Sequence, residues 1–167
     1  MRFVLSLFFC LLLGLSVFAN PSAGIPAENF TVTSLEGKTF SLEDLRGKVV
    51  VLTFWSTRCE ICESEIPKFN KIATKYAGQN VVFLGLSMEN EIKVAEHLKK
   101  KPFNYTIIPN SLGVIMKYAD KDAAGNFNIA YPSTFIINQN GEIDYKTYGW
   151  DKSKTIDSRV GTLLGKN

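Results

Sequence analysis

Val49-Val50-Val51-Leu52-Thr53-Phe54-Trp55 runs directly into Ser56-Thr57-Arg58-Cys59-Glu60-Ile61-Cys62-Glu63-Ser64-Glu65-Ile66-Pro67. The first part is an unbroken apolar run, the pattern of a strand buried on both faces in the middle of a parallel sheet. The second part opens a helical pattern, with Ile66, Phe69, Ile72, Ala73 and Tyr76 recurring on one face of a helix from Cys59 to Tyr76. Pro67 falls inside that helix and is expected to kink it. Cys59 and Cys62 therefore stand where a buried strand ends and a helix begins.

Working outward, Pro21 to Glu28 is a polar lead-in, and Phe30 to Thr33 alternates as a strand. Leu35 to Phe40 reads as a hairpin turn centred on Gly37, and Ser41 to Gly47 as one helical turn capped by Ser41. Downstream, Val81 to Ser87 is a second buried strand, and Glu89 to Lys100 a helix closed by Pro102. Tyr105 to Ile108 is a short strand and Leu112 to Tyr118 a short helix, while Ala119 to Ile129, rich in Asp, Gly and Asn, reads as a loop. Ser133–Asn138 and Glu142–Tyr148 form a hairpin around Gln139-Asn140-Gly141. Asp151 to Leu164 closes the chain as an amphipathic helix with Ile156, Val160 and Leu163 inward. Strands alternating with helices, then a late hairpin, predict an α/β sandwich with a mixed sheet.

A chain of 167 residues, 46% hydrophobic and 21% charged, excludes disordered and fibrous classes and is long enough to bury a core without disulfide staples. The net charge is only +3, and the single basic run, Lys99 to Lys101, is a solvated helix end rather than a nucleic-acid surface. The N-terminus differs from the rest. Arg2, the apolar run Phe3 to Phe18 and the exit Val17-Phe18-Ala19 make residues 1–19 a secretory signal, with an uncleaved anchor as the alternative, ahead of one domain over residues 20–167.

Loss of the signal removes Cys10 and leaves Cys59 and Cys62. A bond between residues only three apart constrains the unfolded chain very little, so a chemical role explains the pair better than a structural one. The unpaired amides and dipole of a helix N-terminus favour a thiolate at Cys59, and Arg58 adds positive charge. Cys62, one turn on, can then attack a mixed disulfide formed at Cys59. Zinc would need four ligands, and His97, read as a surface residue, is the sole histidine. Haem attachment would need a histidine where Glu63 stands. No metal and no cofactor beyond the Cys59–Cys62 disulfide is expected.

The segment Phe54 to Pro67 resembles the active-site helix of the TlpA/ResA-like extracytoplasmic thioredoxin family, within the AhpC/TSA-related thioredoxin fold. The likeness runs over roughly residues 26–165, including Glu36-Gly37-Lys38 and Asp44-Leu45-Arg46-Gly47-Lys48. It implies a thioredoxin-like three-layer sandwich, a mixed central sheet flanked by helices, with an N-terminal β-hairpin extension. It further implies that Cys59 and Cys62 exchange disulfides with protein substrates, and Glu65, three positions after the second cysteine, matches the family's acidic residue. We expect Glu65 to handle the Cys62 proton, Pro132 to be the family's cis-proline, and Trp55, Tyr131 and Pro132 to contact substrate.

Arg58 stands where the family commonly has Trp, Ile61 where Pro is frequent, and Tyr131 where a smaller residue is usual. Arg58, Glu60 and Ile61 are therefore expected to tune the redox properties. The resemblance implies an exported reductase, for example in cytochrome c maturation, acting as a monomer. Its partners would be protein thiols or disulfides and a membrane or exported electron donor, with no nucleic acid. A thiol peroxidase is the competing enzyme class. Ser56 precedes Cys59 by three as such enzymes require, but Leu52 occupies their proline position. A metal chaperone is the non-enzymatic alternative.

Overall fold

The apolar run of the opening stretch becomes strand β4 (Val49–Phe54), buried along its whole length. The structure is a computed structural model that describes residues 24–166; the expected signal over residues 1–19 lies outside the described residues. Around β4, a six-stranded sheet assembles from β1 (Ile25–Pro26), β5 (Val81–Leu86), β6 (Thr106–Ile108), β9 (Ser133–Ile137) and β10 (Glu142–Tyr148), in the order β1-β10-β9-β4-β5-β6. The pairs β4–β5 and β5–β6 are parallel, whereas β4–β9, β9–β10 and β10–β1 are antiparallel. The sheet is mixed, as expected.

Alternation along β4 divides its side chains between two cores. Val49 and Val51 meet Phe69, Ile72, Ala73 and Tyr76 of α1 (Glu60–Lys75) and its C-cap, together with Ile156 and Val160 of α4 (Ser153–Leu163). Val50, Leu52 and Phe54 face the opposite layer. That layer contains the hairpin β2 (Thr31–Thr33) and β3 (Thr39–Ser41) and helix α3 (Leu112–Tyr118), which contributes Val114, Ile115 and Tyr118. Each fully buried Val, Leu, Ile or Phe contributes about 1.5–3 kcal/mol relative to exposure, so this double-faced burial fixes where β4 ends.

Three expectations need correction. The segment Ala119 to Ile129 is not a plain loop: β7 (Asp120–Lys121) pairs with β8 (Phe127–Asn128). The Asp122 carboxylate accepts from the amides of Ala124 and Asn126 at 2.9 and 2.8 Å, and Gly125 takes a φ of 83°, which closes the turn. Ser41 to Gly47 is a run of turns rather than a helical turn, with amides bonding three residues back, although Ser41 does accept from Asp44 at 3.2 Å. Helix α2 spans Glu91–Lys100 and begins two residues later than expected, because Asn90 caps it and Glu89 is engaged elsewhere.

Candidate active site

Cys59 is the N-cap of α1, with extended backbone, and its Sγ accepts from the Cys62 amide at 3.0 Å. The sequence produces this position because the strand must stop where double-faced burial ends, and the exposed Glu60 and half-buried Glu63 suit the first helical turn. Cys59 and Cys62 are joined as a disulfide. Cys59 is half-buried, while Cys62 is only 3% exposed. One sulfur faces the surface and the other faces the core.

Behind Cys62 lies a small void of about 10 Å³, lined among others by Trp55, Glu65, Phe103, Tyr105 and Pro132. Glu65 is 2% exposed, an unusual place for a carboxylate, and Lys68 Nζ donates to its Oε1 at 2.8 Å. Tyr131 and Pro132 are joined by a cis peptide bond, as expected. Pro132 is buried against the void, and its carbonyl accepts from the Gly149 amide at 2.8 Å, which ties the end of β10 to the site.

Tyr131 packs half-buried between two core clusters. Burial, aided by the nearby Glu89 charge, pushes its phenol up to about 12. Trp55 differs from the expected substrate contact. At 2% exposure it is a wall under the site, its ring tilted 40° against Phe103 with centroids 4.7 Å apart, and Gly85 makes room for it. A Cβ at Gly85 would lie 2.6 Å from Ile107 Cδ1 and 3.3 Å from Trp55 Nε1. Ile61 is 47% exposed beside the sulfurs, Glu60 is exposed, and Arg58 is exposed in a recess shared with Ser56, Met88, Glu89 and Lys93.

His97 is not the surface residue expected. Its ring centroid lies 5.3 Å from that of Trp55 and its Nε2 is buried. Position 97 falls one turn after the buried Val94, on the inward side of α2 despite its lysine neighbours.

The residue that sequence reasoning missed is Glu89. Its carboxylate accepts from Ser56 Oγ at 3.0 Å, Thr57 Oγ1 at 2.7 Å and the Thr57 amide at 3.1 Å, and also from Ser87 Oγ. Burial alone would raise its pKa, but these hydrogen bonds outweigh it, and the carboxyl titrates below its ordinary value. Glu89 thereby fixes the loop that presents Cys59. The available signal was its position directly after a buried strand, where a polar residue meets the loop of the neighbouring strand.

A surface sulfur at a helix N-cap, a buried partner sulfur and a cis-proline beside them, set on this sheet, define a thiol–disulfide oxidoreductase of the thioredoxin fold. The chain belongs to the AhpC/TSA family, which it matches over residues 23–146. It is 32% identical over 136 residues to the thiol-disulfide oxidoreductase ResA of Bacillus cereus, covering 80% of this chain and 74% of the relative. It is 30% identical over 151 residues to ResA of Geobacillus thermodenitrificans, covering 86% and 83%. In structure it is similar to a thiol:disulfide interchange protein of Chlorobium tepidum, with TM-score 0.73, 24% identity and coverage of 87% of this chain and 100% of that one.

Proposed function

We propose that this oxidoreductase works outside the cytoplasmic membrane as a reductase of protein disulfides, with cytochrome c maturation as its setting. The observation that carries the reading is the split environment of the two sulfurs: Cys59 half-buried at the helix N-cap, and Cys62 at 3% exposure beside the buried Glu65. The apolar N-terminal run Phe3 to Phe18 supports export. Among the described residues no helix is long and apolar enough to cross a membrane.

In the reduced enzyme the Cys59 thiolate attacks one sulfur of a substrate disulfide, forming a mixed disulfide and releasing the other substrate sulfur as a thiolate that takes up a proton. The Cys62 thiol then gives its proton to the Glu65 carboxylate. Its thiolate attacks Cys59 Sγ, closing the Cys59–Cys62 bond and releasing the second substrate thiolate. A dithiol electron donor, membrane-bound or exported, restores the reduced pair. Tyr131 and Pro132 flank the sulfurs and receive the substrate backbone, while Arg58, Glu60 and Ile61 tune the redox properties from the rim. The Cys59–Cys62 disulfide is the redox-active group, and the enzyme acts as a monomer.

The peroxidase alternative gains no support from Ser56, whose hydroxyl donates to Glu89 at 3.0 Å. The test is in the native cell. Cys62→Ala should trap exported proteins as mixed disulfides at Cys59, apocytochrome c among them, and acid-quenched wild-type protein should be mostly dithiol. A mostly oxidised pool would reverse the direction of electron flow, and a cytoplasmic set of trapped partners would contradict the proposed compartment.

A further inference from the structure

Lys68 follows Glu65 by three residues, so both stand on one side of α1. Their contact is unequal. The Glu65 side chain is 3% exposed and the Lys68 side chain 37%, so a buried carboxylate is joined to the surface through one ammonium at 2.8 Å. A buried carboxylate stays ionised only when it is paired, and otherwise takes up a proton.

Lys68 has other partners beyond Glu65. Its Nζ lies 3.5 Å from Asp151 Oδ1 and 5.4 Å from the centroid of the Trp150 ring. Asp151 and Trp150 belong to the turn after β10, where Asp151 takes a φ of 57°. The same turn is tied to the cis-proline, because the Gly149 amide donates to the Pro132 carbonyl. When Glu65 becomes neutral, Asp151 and the Trp150 ring can still hold the ammonium in place.

We infer that Lys68 is a positioning residue for the reaction: its ammonium holds the Glu65 carboxylate in place to accept the Cys62 proton, and the Trp150–Asp151 turn holds Lys68 there throughout the cycle. This rests on the reading of Glu65 as the proton acceptor. The hydrogen bond with Glu65, more than Asp151, holds the Lys68 ammonium above its ordinary value, with burial opposing. The other titratable groups facing Glu65 are Cys62 on its own helix and Tyr105 beside β6. Burial holds the Tyr105 phenol far above its ordinary value, so it stays neutral at the pH of interest.

The test follows the two colour releases when reduced protein is mixed with a chromogenic aromatic disulfide: the first reports attack by Cys59 and the second resolution by Cys62. Lys68→Met should slow the second release by up to roughly 10²-fold, the cost of a misplaced reacting group, and leave the first release unchanged. Lys68→Arg should restore it. Asp151→Asn, which loosens the hold on Lys68, should slow the second release to a lesser extent and serves as the second probe if Lys68→Met folds poorly. In a Glu65→Gln background, Lys68→Met should slow the second release no further. A second release unchanged in Lys68→Met but slowed in Glu65→Gln would overturn the role of Lys68 and leave Glu65 standing. A second release unchanged in Glu65→Gln would overturn both.

Discussion

Two carboxylates belong to the site, one just after β5 and one within α1, and their surroundings divide their work. Glu89, on the strand side, accepts from hydroxyls of Ser56, Thr57 and Ser87 and from the Thr57 amide. Glu65, on the helix side, is more deeply buried and is paired with the ammonium of Lys68. Neutral donors from a loop immobilise that loop, and their loss leaves several donors unpaired. A single cation, itself held by Asp151 and the Trp150 ring, leaves the carboxylate free to change charge. Burial alone therefore does not tell an anchor from a proton acceptor; the partners do.

The largest effect separates both from the sulfurs. Cys59→Ser should reduce protein-disulfide turnover to background, and Cys62→Ser should stop it after one mixed disulfide, as read by an insulin-reduction assay and mass spectrometry. If Cys62→Ser turned over freely, resolution would not depend on that thiol.

Glu65→Gln should slow resolution by about 10²-fold, the lower range for a lost general base, while leaving the first attack unchanged. Glu89→Gln should leave the rate of resolution relative to the first attack unchanged. Equal effects of the two substitutions in rapid-mixing kinetics would erase the distinction.

Glu89→Ala should act on stability instead, costing about 1–3 kcal/mol for the unpaired donors around Ser56 and Thr57. Calorimetry should show Tm falling by roughly 2–4 °C per kcal/mol. The smallest effect is one of pH. Because the Glu89 pKa is lowered in the folded state, its stabilisation is present above the unfolded value and lost as pH falls through the folded one. Acid below about pH 4 should therefore erode stability less in Glu89→Gln than in wild type, as read from denaturant midpoints across pH.

The sulfurs and strands β4 and β5 were legible because their signals are local: long apolar runs, and two cysteines three apart at a strand–helix junction. The cis Tyr131–Pro132 bond was legible through a resemblance, not through composition. Glu89 was not, because its partners come from two separate segments, Ser56-Thr57 and Ser87, which only the sheet brings together. His97 was misread because four lysines of its neighbourhood, Lys93, Lys99, Lys100 and Lys101, outweighed its spacing from Val94. β1 and the β7–β8 hairpin escaped because strands of two residues carry no periodicity and exist only through their pairing.

The order in which the two thiols react tests the mechanism most directly. Reduced protein treated with limiting iodoacetamide at mildly acidic pH, then digested and mapped by mass spectrometry, reports that order. Cys59 should carry the label first and Cys62 should remain a free thiol. Preferential labelling of Cys62 would contradict the assignment of nucleophile and resolving thiol on which the mechanism rests.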